Sequence, residues 1–199
     1  MKKNSQDTTL SDLQLEKELY RIARKRKRWA VFRNTMLVFL VIAAACVVAT
    51  GLWFPIYRVS GRSMEPNLQR GQFLVAYRTN ELACGDIAVF FSGNQILIKR
   101  VIGTAGDVIS IDASGCVSRN GQVLNEPYIS EPVLGFNDQR YPYCVPDDSY
   151  FVMGDHRAES ADSRLASIGS ISKDQVSGKI ILRIWPVREL RLFGWGSAQ

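Results

Sequence analysis

Twenty consecutive residues, Thr35 to Phe54 (T-M-L-V-F-L-V-I-A-A-A-C-V-V-A-T-G-L-W-F), carry no charge. At about 1.5 Å of rise per residue, a helix of that length spans about 30 Å, the hydrocarbon thickness of a bilayer. Trp53 and Phe54 at its end have the amphipathic rings that favour a membrane interface, and Pro55 stops the helix. A cleavable leader has an apolar core of roughly 7–15 residues behind a short basic stretch. Here both the apolar run and the basic stretch before it are longer, so the segment is expected to remain as an anchor. The expected layout is a basic cytoplasmic segment at 1–33, a transmembrane anchor at 34–54 and an extracytoplasmic domain at 55–199.

The charge distribution supports that order. The formal charge is +6, and residues 1–33 hold ten Lys/Arg against four Asp/Glu, including R-K-R-K-R at Arg24 to Arg28. The rest of the chain carries fifteen of each sign. Positive residues concentrated on one flank of an apolar span predict that this flank stays inside and the bulk of the chain lies outside. A nucleic-acid-binding domain would carry its basic face on the folded part, so no nucleic-acid partner is expected. A helix is expected from about Ser11, where Leu15, Leu19 and Ile22 recur at roughly helical spacing. The first ten residues are expected to be loosely ordered.

Beyond Ile56 the pattern changes to short apolar runs separated by Gly, Pro, Asn and Asp, which predicts strands. The runs are Tyr57 to Val59, Phe73 to Tyr77, Ile87 to Phe91, Ile96 to Ile102, Val108 to Ile111, Cys116 to Arg119, Gln122 to Leu124, Tyr150 to Met153 and Lys179 to Trp185. Asn120-Gly121 between two of them is the pair that a tight hairpin turn demands. Asn125 to Ser149 has no periodicity and is expected to be loop. The fold class is therefore mostly β, an antiparallel sheet domain following a single transmembrane helix.

The cysteines, at 46, 84, 116 and 144, contain no C-x-x-C pair, and His156 is the only histidine. No metal site and no cofactor are expected. Three of the four lie beyond the apolar span; they allow one disulfide, Cys116 with Cys144, or three reduced and buried thiols.

Lys99 is the residue that suggests chemistry. It stands inside Q-I-L-I-K-R-V-I, where an ammonium would be costly to bury. Desolvation lowers a lysine pKa, and a lysine that is neutral near pH 7 can act as a general base. A hydroxyl nucleophile needs such a base, and Ser63 in S-G-R-S-M-E-P-N-L is a candidate. Ser160, in G-D-H-R-A-E-S-A-D-S-R, is placed to hold the amine by a hydrogen bond. The plain alternative is a strand lysine that reaches solvent.

Four stretches carry a resemblance. They are S-M-E-P-N-L after Gly61-Arg62, G-D-I-A-V-F at Gly85 to Phe90, K-R-V-I-G-T-A-G-D at Lys99 to Asp107, and G-D-H-R-A-E-S-A-D-S-R at Gly154 to Arg164. In order and spacing they resemble the conserved boxes of bacterial type I signal peptidases, the shorter Gram-positive-like form, over roughly Pro55 to Pro186. The resemblance implies the fold of those enzymes and a Ser/Lys dyad. In it Ser63 attacks the scissile carbonyl, Lys99 moves the proton, Ser160 orients the lysine and the Ser63 backbone N–H donates to the oxyanion. It further implies that Met64, Leu97 and Ile98 line shallow pockets for small side chains, as Ala-x-Ala cleavage sites require. For Leu97 and Ile98 plain core packing is an equal reading. Arg100, Asp155, Asp162 and Arg164 match positions that hold the site together. Gly61 stands where some members carry a serine that donates a second oxyanion hydrogen bond, and His156 stands where asparagine is usual. Arg62 and Glu65 flank the nucleophile with charges.

The resemblance implies precursor proteins with signal peptides as substrates, contact with membrane lipid, and the secretion translocon as a candidate partner. Geometry favours the same substrates: Phe54 and Ser63 are nine residues apart. At about 3.3 Å per extended residue, the nucleophile is within about 30 Å of the bilayer surface. Two other readings use the same residues: a dedicated maturation peptidase for a single conjugation or pilus protein, and a non-catalytic membrane-tethered β-domain. A Ser-His-Asp triad through His156 is a weaker alternative, and the G-x-S-x-G elbow is missing because Glu65 occupies its last position.

Overall fold

The computed structural model describes residues 4–193. The chain divides into two compact units, one ending at Leu52 and one starting at Trp53.

The first unit is a helix, α1, which runs from Asn4 to Trp53. It starts well before Ser11, so the expected loose segment of ten residues is helical from Asn4. Once a helix is nucleated, each added residue gains a hydrogen bond for one pair of dihedrals, so a stable apolar helix extends readily into polar flanking sequence. Residues Arg24–Trp53 are long and apolar enough to cross a membrane, and no other described helix is.

The second unit is built from twelve strands: β1 (Ile56–Arg58), β2 (Phe73–Tyr77), β3 (Ile87–Ser92), β4 (Gln95–Thr104), β5 (Val108–Ile111), β6 (Val117–Arg119), β7 (Gln122–Val123), β8 (Tyr143–Cys144), β9 (Ser149–Met153), β10 (Ile171–Ser172), β11 (Val176–Trp185) and β12 (Arg191–Leu192). All ladders are antiparallel. The larger sheet has the order β1-β2-β11-β3-β4-β9-β10, with β12 paired to β11. The smaller has the order β7-β6-β5-β8. Each strand read from the short apolar runs of the sequence is present, with ends displaced by at most a few residues. The β6–β7 hairpin turns at Asn120 and Gly121, both at positive φ (54° and 81°). That is the backbone of a two-residue turn whose twist matches the strands.

Three apolar clusters hold the unit together. Val59, Met64, Leu68, Leu74 and Ile87 form one beneath the segment that follows β1. Ala88, Phe90, Val101, Tyr150 and Ile171 form another across β3, β4 and β9. Ile102, Ile109, Val117, Val145 and Phe151 clamp the small sheet onto the far end of β4 and β9. β8 and β10 were not read from the sequence, and β8 lies inside the segment expected to be loop. At two residues each they are fixed by the strand beside them and have no pattern of their own.

The cysteines are free. Cys144 pairs with Val108 at one end of β5, while Cys116 donates and accepts around Asp112 beyond the other end. The Cys116–Cys144 disulfide is therefore excluded by register, since bridged Cα atoms must approach within about 7 Å.

Candidate active site

β4 runs from a half-exposed start into the core, and Lys99 is the point at which it becomes buried. Lys99 is 3% exposed and pairs with Ala88 on β3. Burial pushes its amine down to about 8; Asp162 pulls it back up, Arg164 pushes it further down, and Asp155 raises it. The opposing charges of Asp162 and Arg164 leave desolvation in control, which is the condition for a lysine that is partly neutral at neutral pH.

On the other side of β4, Arg100 pairs with Met153 at the end of β9. β9 leads directly into the loop Gly154 to Arg164, so the loop begins beside Lys99. The loop also holds the serine. Ser63 opens a tight helical turn in which the Leu68 N–H reaches the Met64 carbonyl (2.9 Å). The backbone N–H of His156 donates to the Ser63 carbonyl (3.0 Å), tying the serine turn to the loop. A Cβ on Gly154 would collide with both Ser160 Oγ and the Ser63 carbonyl oxygen, so glycine is what lets those two groups converge. Ser160 is fully buried, and its Oγ has no hydrogen-bond partner among the described residues. One loop thus meets the serine turn, flanks the lysine and contributes a buried hydroxyl with its bonding capacity unused.

Ion pairs set the shape of that loop. Arg100 grips Asp155 through both carboxylate oxygens (Nε–Oδ1 2.8 Å, Nη2–Oδ2 2.7 Å), joining the β4 strand to the loop. Asp162 and Arg164 pair within the loop at 2.8 Å, both with fully buried side chains. Asp162 Oδ2 also accepts from the Gly154 N–H (2.9 Å), closing the loop upon itself. These four charges are not a solvated surface set. Buried ions persist when each is paired and hydrogen-bonded, and these are.

A groove of about 340 Å³ passes the serine, lined by Tyr57, Val59, Gly61, Ser63, Met64, Leu97 and Ile98 among others. Met64 is also core, 2% exposed. Leu97 and Ile98 are half-buried and point to opposite faces of β4, so each serves the groove and also packs against its own apolar cluster. Leu97 and Ile98 thus both line the groove and pack against the core.

A triad finds no support in the geometry. The Nδ1 atom of His156 is buried without a partner among the described residues, so no carboxylate orients the ring. The described residues contain no group of three or more His, Cys, Asp or Glu able to hold a metal ion.

Four residues of the assembly were not singled out from the sequence: Asn67, Glu126, Tyr128 and Arg157. Asn67 Nδ2 donates to Asp155 (2.9 Å) and to the Tyr128 carbonyl (2.6 Å). Arg157 is 2% exposed and pairs with Glu126. A charged side chain between apolar neighbours is visible in a sequence, but the identity of its partner thirty residues away is not.

The family model described as "Signal peptidase, peptidase S26" matches residues 29–185. Signal peptidase I of Bacillus amyloliquefaciens is 31% identical over 176 residues, covering 83% of this chain and 94% of that protein. Signal peptidase IB of Staphylococcus aureus (strain COL) is 30% identical over 183 residues, covering 82% and 91% respectively. A crystal structure of a signal peptidase I from Enterococcus faecalis V583 aligns with 50% of this chain and 96% of its own, at 27% identity and a TM-score of 0.41.

Proposed function

The chain belongs to the peptidase S26 signal peptidase family and is a serine endopeptidase of the signal peptidase I type; from that premise we propose that Ser63 and Lys99 form its catalytic dyad. Ser63 Oγ attacks the scissile carbonyl carbon as its proton passes to the neutral amine of Lys99. The oxyanion receives the Ser63 backbone N–H. Losing such a donor typically costs a hundred- to a thousandfold in rate. Collapse breaks the C–N bond, and Lys99 returns the proton to the leaving amine, which frees the mature protein. Water then attacks the Ser63 ester with Lys99 again as base, and the signal-peptide fragment departs as its carboxylic acid.

The observation that carries this reading is the lysine: buried to 3% exposure, brought down to about 8, and on the strand paired with β9, which starts the loop to which the serine is tied. An unactivated serine hydroxyl is a poor nucleophile, and a base poised near neutral pH is what it lacks. Ser160 Oγ makes no hydrogen bond to the Lys99 amine in this structure, so its role in orienting the amine rests on the resemblance to type I signal peptidases. Met64, Leu97 and Ile98 help line the groove, and with the resemblance to type I signal peptidases this supports precursors cleaved after Ala-x-Ala-type sites as the preferred substrates. The Arg24–Trp53 span supports membrane attachment, with the basic end cytoplasmic and the peptidase unit outside, in contact with lipid and near the translocon.

The test is incubation of the purified full-length chain, in detergent micelles, with several unrelated secretory precursors. Wild type should trim all of them, and Ser63→Ala and Lys99→Ala should trim none. Trimming of one precursor alone would point to a dedicated maturation enzyme, and retained activity in either variant would refute the dyad.

A further inference from the structure

Glu126, Pro127 and Tyr128 lie in the segment without regular structure, yet they touch every piece of chain that carries the site. Glu126 accepts from Arg157 Nη1 (2.9 Å) and Nη2, and from the Tyr128 hydroxyl (2.7 Å). Arg157 in turn donates from Nε to the Gly154 carbonyl (3.2 Å), and its own carbonyl accepts from Arg164 (2.9 Å). Arg157 is the neighbour of His156, whose N–H holds the Ser63 carbonyl. Tyr128 makes the other two connections. Its carbonyl accepts from Asn67, four residues beyond Ser63 in the same turn, and its ring lies 4.1 Å beneath the Arg100 guanidinium, next to Lys99. Burial and the Glu126 carboxylate push the Tyr128 hydroxyl far up, so it remains a donor.

The side chains of Arg157 and Glu126 are 1% and 6% exposed, so the pair is desolvated and has one geometry. Its position bears on the turn Gly154 to Ser160, and that turn holds Ser63 through the hydrogen bond to its carbonyl. A misplacement of about 1 Å in a catalytic constellation can cost about a hundredfold in rate. We propose that Glu126 is a positioning residue for the reaction: through Arg157 it fixes the turn that holds Ser63 by its carbonyl. The charges that act on the Lys99 amine are those of Asp162, Arg164 and Asp155, so the effect expected of Glu126 is on geometry.

The inference rests on Ser63 being the nucleophile, and the experiment separates the two. Full-length protein in detergent is assayed with a peptide substrate, and active sites are counted by the burst of leaving group. Glu126→Gln keeps the shape but loses the charge. Its kcat per titrated site should fall about ten- to a hundredfold, with KM within about twofold and the pH inflection unmoved. Glu126→Asp should recover part of the loss, and Tyr128→Phe, which removes one hydrogen bond and no charge, should lose a few-fold in kcat. A purely structural role predicts fewer titratable sites, each with wild-type kcat, and that result overturns the proposal. If Glu126→Gln yields no folded protein, Glu126→Asp and Tyr128→Phe decide by the same criterion. Turnover in Ser63→Ala would instead defeat the underlying dyad.

Discussion

In the proposed dyad, the pH dependence of cleavage follows from one buried amine. With its pKa at about 8, Lys99 is neutral in about one molecule in eleven at pH 7. At the ordinary lysine value the fraction would be about three in ten thousand, so burial raises the active population about three-hundredfold. The log of kcat/KM should therefore climb with unit slope from pH 6 to about 8 and level off above pH 9. The same shift affects stability. Because the folded pKa lies below the unfolded one, the unfolded chain holds the proton more tightly between pH 8 and 10.5, and stability rises with pH through that window. This contribution is lost as pH falls through about 8, and its ceiling is about 3 kcal/mol. The assay is initial-rate cleavage of an internally quenched peptide from pH 5 to 10.5, paired with thermal unfolding at each pH. A profile flat from pH 5 to 10, or one still rising with unit slope at pH 10, would refute the reasoning.

Three further outcomes follow from the loop. Gly154→Ala places a methyl against Ser160 Oγ and the Ser63 carbonyl, so activity should fall at least a hundredfold even where the protein folds, as kcat per titrated site will show. Asp155→Ala leaves the Arg100 guanidinium uncompensated, 12% exposed, and should destabilise the peptidase unit by about 3–5 kcal/mol in denaturant titrations. His156→Asn keeps the backbone N–H that holds Ser63 and removes an unpartnered ring, so kcat/KM should stay within a few-fold of wild type; abolition would revive the triad.

The limits of what the sequence revealed are physical. Strands such as β2 and β5 were legible because they are short apolar runs between turn residues, and Asn120-Gly121 because few residues accept positive φ. β8 and β10 were not, because two-residue pairings take their geometry from the neighbouring strand. Lys99 could be singled out because an ammonium in an apolar run is itself chemical information, and Ser63 and Ser160 because they stand in stretches that resemble the conserved boxes of type I signal peptidases. The link that brings the serine to the loop is the N–H of His156, and a backbone amide is the same at nearly every position. Glu126 and Tyr128 were passed over for a related reason: a carboxylate in an aperiodic, Pro-containing segment looks like solvated loop until Arg157 is known to be buried against it. For Leu97 and Ile98 the two readings of the sequence were never exclusive, because a strand at a groove's edge packs and lines at once.

The central claim is that residue 63 carries the acyl group between two proton transfers through residue 99. Mixing the enzyme with a precursor peptide, quenching in acid within milliseconds and mapping the digest by mass spectrometry tests it directly. The account predicts an ester of the signal-peptide fragment on Ser63, formed at a rate that rises tenfold per pH unit below 8 and absent in Lys99→Ala. Turnover with no adduct on Ser63, or an adduct that forms equally fast without Lys99, would contradict it.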